Sequence, residues 1–287
     1  MPVPVHVIGA SGRSGRALVR ALLAALVPVY PVVRDLRRWE AVAPVHPLLG
    51  EALVADLADG FALRRALAGA RKIVSTAHAR TTEWLLEAAP AGARLVLLGS
   101  TRRYTRWLDA HGEGVLRGES ALLGSGRPGV MLHPTMIYGA EGEDNVRRLA
   151  ALLRRLPVVP LPGGGRALVQ PIHQDDLSRA IVAALDVAWA EPATLVVAGP
   201  EAVPYADFVR AVARAAGLAR PRILPVPAGL LMALAPVVSR LPGLRRVSAE
   251  EIRRLGEHKG FDIGPMLATL GVRPISLAEG LARTFAE

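Results

Sequence analysis

Val3-Pro-Val-His-Val-Ile8-Gly9-Ala-Ser11-Gly12-Arg13-Ser14-Gly15 opens a sequence of 287 residues and decides how the rest is read. Val3 to Ile8 is rich in β-branched residues, as a buried strand requires, and Arg16 to Leu26 repeats apolar residues at helical spacing. A turn carrying three glycines therefore joins a strand to a helix. Glycine takes positive φ freely and lets a ligand approach the backbone, while the first N–H groups of a helix present partial positive charge to an anion. Strand, glycine turn and helix in that order make a site for the diphosphate of a dinucleotide, lined by Gly9, Ser11, Gly12, Arg13, Ser14 and Gly15. Spaced glycines also occur in ordinary tight turns, and the flanking strand and helix separate the two cases.

The composition fits an α/β protein. Hydrophobic residues make up 51% of the chain and aromatics only 4%, so the apolar mass is Ala, Leu and Val, suited to long helices on a parallel sheet. With no cysteine, disulfides, thiolate catalysis and thiolate metal sites are excluded. No spacing of His, Asp and Glu makes a metal site. The glycine motif begins within nine residues of Met1, which leaves no room for a signal peptide, so a cytoplasmic location is expected. The formal charge is +10, but the arginines are scattered, without a run of five or six, so the charge reads as a solvated face and nucleic acid is not the expected partner. Pro227 to Val238 is apolar but too short to span a bilayer.

Strand and helix alternate along the chain. Val27 to Val33 reads as a second strand, delivering Arg34 and Asp35 where the adenosine ribose would lie. A guanidinium there pairs with a 2′-phosphate and a carboxylate with the ribose hydroxyls, so Arg34 favours NADP while Asp35 keeps NAD open. Ala52 to Leu57 reads as a third strand, with Asp56 and Leu57 at the adenine edge, followed by a helix over 61–68. Lys72 to Ala77 reads as a fourth strand opening onto Ser75, Thr76 and Ala77, small enough to leave room for a dinucleotide. A helix over 81–89 capped by Thr81 follows, then a fifth strand from Arg94 to Leu98. The fold expected is a doubly wound parallel sheet.

Gly9-x-x-Gly12-x-x-Gly15, Asp56-Leu57, the strand into Gly99-Ser100-Thr101-Arg-Arg-Tyr104, and His133-Pro134-Thr135-Met-Ile-Tyr138-Gly139 resemble the extended and atypical short-chain dehydrogenases/reductases, which include nucleotide-sugar epimerases and dehydratases. Leu161-Pro-Gly-Gly-Gly165 and Gln170-Pro-Ile-His173-Gln-Asp175-Asp176-Leu177 resemble the same group. The resemblance runs to about residue 200 and fades beyond. It implies a Rossmann-type sheet over residues 1–138, rejoined by about 166–192, and a smaller substrate domain over 139–287. It also places Pro134 and Thr135 near the nicotinamide carboxamide. Glu141 to Leu156 is expected to hold a helix and Pro157 to Gly165 a flap. Asp175 is expected to cap a helix from Leu177, and a strand at Thr194 to Ala198 belongs with the smaller domain.

The superfamily's reaction needs a Tyr to pass a proton, a Lys four residues on to lower its pKa, and a Ser to orient the substrate oxygen. No Tyr-x-x-x-Lys exists in this sequence. By resemblance Ser100 holds the Ser position and Tyr104 a structural Tyr. Aligning Glu119 with the Glu beyond the family's Lys puts Val115 at the Lys position and His111 at the Tyr position. His111 is therefore the candidate acid or base, its ordinary pKa lying near neutrality, with a polar helix-start residue as the alternative. His133 reads as a packing histidine, and His78 stands at the right end of the sheet without a partner.

Three functions follow. The first is an NADP-dependent oxidoreductase or isomerase acting on a small carbonyl or sugar-like compound. The second is a cofactor-binding sensor or assembly protein without turnover, and the third a binder of nucleic acid or another acidic partner. Substrate and direction are open, and a homo-oligomer is allowed.

Overall fold

The strand read at the N-terminus is β1 (Val5–Ile8), with all four residues buried. A strand is apolar on both faces only where helices cover both faces of its sheet, and the chain is built that way. In the computed structural model, which describes residues 2–139, 145–156, 158–238 and 249–286, β1 is followed by α1 (Arg13–Ala24), β2 (Val29–Val33), α2 (Leu36–Glu40), β3 (Leu53–Val54), α3 (Gly60–Ala66), β4 (Lys72–Ser75), α4 (Thr82–Ala88), β5 (Arg94–Leu98), α5 (Ala110–Gly124) and β6 (Gly129–Pro134). Then come β7 (Ile137–Tyr138), α6 (Asn145–Arg155), β8 (Val158–Pro162), β9 (Leu168–Val169), β10 (Ile172–His173), α7 (Gln174–Asp186), β11 (Pro192–Val197), β12 (Val203–Pro204), α8 (Tyr205–Ala215), β13 (Arg222–Val226), α9 (Ala228–Val238), α10 (Ala249–Leu255), α11 (Gly264–Leu270) and α12 (Leu277–Ala286).

Seven parallel strands form one sheet in the order β11-β6-β5-β4-β1-β2-β3. From β1 the chain steps outward through β2 and β3, then crosses to β4 on the other side of β1 and continues away from it. The carboxyl ends of β1 and β4 part where the winding reverses, and a ligand crevice belongs there. α1 and α7 cover one face with Leu18, Leu22, Leu177 and Ile181. α3, α4 and α5 cover the other with Leu63, Leu85, Val115 and Leu122. A third cluster, including Val146, Leu153, Phe208, Val209 and Leu281, is built from α6, α8 and α12. Among the described residues no helix is long and apolar enough to cross a membrane.

Several expectations change in detail. Pro31 lies inside β2, not at its end. Its nitrogen faces the side where Val29 N donates to Leu48 O, and β3 pairs only with Val32 and Val33, so no ladder bond is lost. The flap expected at 157–165 is β8, paired in parallel with β13, and a short 3-10 turn at Gly163–Gly165. Pro157 lies outside the described residues, as do residues 141–144 of the helix expected from Glu141. The strand at 194–198 joins the large sheet as β11, beside β6. Thr81 does not cap α4 with its side chain, because its hydroxyl donates to His78 O at 2.9 Å. Asp175 does not cap α7: the helix starts earlier, with His173 as its N-cap and His173 Nδ1 accepting from Asp175 N.

Candidate functional site

Gly9 leaves β1 at φ +77°, a left-handed conformation that favours glycine. The turn closes through Gly12 N donating to Gly9 O at 2.8 Å. Thr76, at the end of β4, ties it to the sheet, its hydroxyl lying 3.0 Å from Ile8 O and 3.2 Å from Gly9 O. A Cβ on Gly15 would stand 2.1 Å from Gly9 O, so only glycine lets α1 press this close to the turn. Gly12 is the N-cap of α1 and supplies no side-chain cap, and the first turn holds no acidic residue. The helix thus presents its opening N–H groups over a glycine cradle, the donor set a diphosphate needs. Ser11 and Ser14 flank it half-buried, with Ser14 Oγ 3.4 Å from Gln174 Oε1, and Arg13 is exposed in the first turn.

Along the crevice Arg34 and Asp35 follow β2 on the surface. Asp35 is occupied as the N-cap of α2, accepting from Arg38 N at 3.1 Å. Asp56 accepts from Ala58 N in the turn after β3, with Leu57 half-buried beside it. Ser75 is buried, Thr76 and Ala77 half-buried. On the far side β6 ends at Pro134, whose carbonyl accepts from Thr101 Oγ1 at 3.1 Å. Thr135 is buried, and its hydroxyl has no hydrogen-bond partner among the described residues. An unpaired buried hydroxyl is costly unless a ligand satisfies it. The cradle at one end and this hydroxyl at the other fit an extended dinucleotide.

Ser100 ends β5. Its N–H donates to His133 Nδ1 at 3.2 Å and its Oγ accepts from Arg102 N at 3.2 Å. His133 is fully buried, with Nε2 2.8 Å from Glu119 Oε2, while Arg103 Nε lies 2.7 Å from the same oxygen. Burial and the Arg103 charge lower the His133 pKa to about 4. This network fixes Ser100 between β5, β6 and α5. It leaves His133 a structural part, as read from the sequence.

His111 stands in the first turn of α5, whose N-cap Asp109 accepts from Gly112 N at 2.9 Å. Two residues beyond Thr76, His78 reaches it: His78 Nε2 and His111 Nδ1 are 3.0 Å apart. Burial, then His111, Arg80, Arg102 and Arg117, lower the His78 pKa to about 4. Burial, with Arg102, Arg254 and Arg80, also lowers His111, against a smaller opposing pull from Asp109. Asp109 Oδ2 is 3.0 Å from both Arg102 Nη1 and Arg254 Nη1. Burial pushes the Asp109 carboxyl up, but the Gly112 N–H and the two guanidinium groups outweigh it and hold it low.

The structure therefore gathers Gly9, Thr76, Ala77, Ser100, His111, Pro134 and Thr135 along the carboxyl edge of β1, β4, β5 and β6. It gives His78, placed at this end of the sheet from the sequence, the partner it lacked there, and adds Asp109, Arg102, Arg254 and Lys259, which the sequence did not single out as site residues. Arg254 and Lys259 arrive from about 150 residues downstream. The Lys259 amine is lowered by burial and by Arg254 and Arg102 despite Glu257. Glu257 anchors that segment by accepting from Thr105 Oγ1 and Arg106 N, and Phe261 N donates to Gln170 Oε1. The available sequence signal was on α5, where Gly114 and Gly118 announce that another segment packs close.

No family model matches the sequence. A ceramide reductase from Caulobacter vibrioides (strain NA1000 / CB15N) is 29% identical over 243 residues, covering 78% of this chain and 73% of that protein. Among solved structures, UDP-glucuronic acid 4-epimerase from Bacillus cereus, in complex with UDP-glucuronic acid and NAD, aligns with TM-score 0.75 at 16% identity over 99% of this chain and 98% of that one. The NADPH-dependent quinone oxidoreductase from Escherichia coli, complexed with NADPH, aligns with TM-score 0.75 at 20% identity over 98% and 99%. These likenesses are of fold: the chain has a Rossmann-type α/β fold like that of the two solved structures over almost its whole length.

Proposed function

We propose that this protein is an oxidoreductase of the short-chain dehydrogenase/reductase type that binds a nicotinamide dinucleotide on its glycine turn and reduces a carbonyl compound, with NADP(H) preferred over NAD(H). The observation that carries this is the uncapped N-terminus of α1 opening over the glycine turn, which the helix approaches so closely that a Cβ at Gly15 would strike Gly9 O. Gly9, Ser11, Gly12, Arg13, Ser14 and Gly15 hold the diphosphate, and Asp56 and Leu57 edge the adenine. Ser75, Thr76 and Ala77 leave room along the crevice, and Pro134 and Thr135 meet the carboxamide. Arg34 supports NADP, since it is exposed at the ribose end while Asp35 is spent on capping α2. When bound, the cofactor supplies or accepts a hydride. Ser100 orients the substrate oxygen through its hydroxyl proton, and His111 passes the proton. The reductase named among the relatives agrees with this class of reaction.

A second reading, a cofactor sensor without turnover, draws on the absent Tyr-x-x-x-Lys. Calorimetric titration with NADPH, NADP, NADH and NAD tests the site. Loss of nicotinamide absorbance with a panel of ketones, aldehydes and quinones then separates the two readings. Tight binding of the phosphorylated pair with carbonyl-dependent oxidation is expected. Binding without oxidation favours the sensor, and no binding of any dinucleotide ends both.

A further inference from the structure

His78 and His111 come from separate elements, and two glycines let them meet. Gly114 and Gly118 lie where α5 meets the 3-10 turn Ala79–Thr81. A Cβ on Gly118 would stand 2.0 Å from Ala79 O, and one on Gly114 2.8 Å from His78 Cε1. With no Cβ in the way, the rings sit nearly perpendicular at 79°, with Nε2 of His78 3.0 Å from Nδ1 of His111.

The backbone fixes the direction of that hydrogen bond. His78 Nδ1 accepts from Arg80 N at 3.1 Å, so this nitrogen carries no proton. A neutral imidazole holds one proton, which must then be on Nε2. His78 Nε2–H donates to His111 Nδ1, and His111 in turn keeps its own proton on Nε2. Protonating either ring would break one of these bonds. The charged groups around the pair act in the same sense. Arg80 beside it, Arg102 before α5, Arg117 on α5 and Arg254 on α10 all disfavour an imidazolium. They are opposed by Asp109, which is already held by Arg102 and Arg254.

We propose that His78 and His111 form a locked neutral pair, in which His78 positions the ring and His111 is the catalytic proton donor, offering Nε2–H to the substrate oxygen. This rests on the oxidoreductase reading above. As the carbonyl carbon gains a hydride and its two electrons from a reduced nicotinamide, the C–O π bond breaks. The resulting alkoxide takes the proton from His111 Nε2, and water returns one to the ring. An alkoxide is basic enough to draw on a neutral imidazole, and the four arginines favour the negative charge that develops on the oxygen.

Nuclear magnetic resonance of the protein labelled with 15N-histidine tests the pair without a substrate. In the wild type, His111 Nδ1 should appear unprotonated and hydrogen-bonded, Nε2 protonated, and the ring should titrate below an ordinary histidine. His78→Ala should strip the donor from Nδ1 and raise the titration midpoint. His78→Gln, whose amide donates without titrating, should restore the Nδ1 signature. If His78→Ala fails to fold, Gly114→Ala displaces His78 instead and should give the same change. A proton on His111 Nδ1 in the wild type, or an unmoved midpoint and Nδ1 signal in the folded variants, overturns the proposal. Titration of the same samples with NADPH and with NADH keeps the two failures apart. Absence of binding with the nitrogen pattern intact overturns the oxidoreductase reading and with it the donor role of His111, whereas binding with the wrong pattern overturns the pair alone.

Discussion

Gly12 is the position at which stability and binding come apart. Its backbone is extended, with φ −74° and ψ 169°, the conformation of an N-cap, and no side chain caps α1. Aspartate is a favoured N-cap and improves on glycine by roughly a few tenths of a kcal/mol. Its Cβ would meet Gly9 O at 3.1 Å, a tight contact that takes back a comparable amount. The Gly12→Asp variant should therefore unfold within about 1 kcal/mol of the wild type. Dinucleotide binding should not survive so well. The carboxylate would occupy the N–H groups meant for the diphosphate and set a like charge about 4 Å from it, which costs about 4 kcal/mol at an effective dielectric of about 20. That is roughly a thousandfold in Kd. Calorimetric titration with NADPH, beside a urea melt of each protein, reads both quantities. A folded Gly12→Asp variant that still binds NADPH within about tenfold of the wild type would refute the placement of the diphosphate on α1.

Arg34→Ala should weaken NADPH by about tenfold or more while sparing NADH, and equal losses would mean that the 2′-phosphate lies elsewhere. Asp109→Ala removes the cap of α5 and the shared partner of Arg102 and Arg254, so urea unfolding should show a loss of about 2 kcal/mol. The same variant should lower the His111 midpoint further, because Asp109 favours its charged form. His78 and His133 are both held neutral in the folded chain, each with its pKa lowered from 6.5 to about 4. On these rings the unfolded chain binds more protons between those values, and the lowered His6 and His111 add to them against the raised Glu119, so stability should fall as pH drops from 6.5 towards about 4; a rise in the urea midpoint across that window would contradict the net effect.

The glycine-turn half of the candidate site was legible because its physics is local. Gly9, Gly12 and Gly15 lie within seven residues of one another, Gly9 required by its left-handed φ and Gly15 by the close approach of α1 to Gly9 O. Ser75, Thr76 and Ala77 follow from the strand they end. The histidine half of the candidate site was legible only in part. His111 was placed by its spacing from Glu119, and the structure sets both on α5. His78 has no local signal, since its partner lies 33 residues away and depends on Gly114 and Gly118 being bare. Arg254 and Lys259 are further still, and nothing in a short window predicts which arginine of so many reaches Asp109. The flap was misread for a related reason: Pro and Gly at 157–165 signal a loop, whereas the parallel partner that makes β8 a strand, at 222–226, lies more than sixty residues on.

The absent Tyr-x-x-x-Lys and the histidine pair also bear on each other. A cation beside a tyrosine lowers its pKa and favours the tyrosinate, so a lysine one turn away suits a phenol as proton carrier. The same cation beside an imidazole favours the neutral ring. A histidine at that position, among arginines that never lose their charge, is therefore held in one protonation state near neutral pH, where a lone histidine would switch. Arg102 and Arg254 supply that fixed charge, and Asp109 holds both guanidinium groups 3.0 Å from one oxygen. Arg254 comes from α10, whose segment is pinned to the sheet side by Glu257 on Thr105 and Arg106. The chemistry of His111 is consequently set by two separate pieces of chain: His78, beyond the end of β4, orients the ring, and Arg254 on α10 contributes to its charge environment.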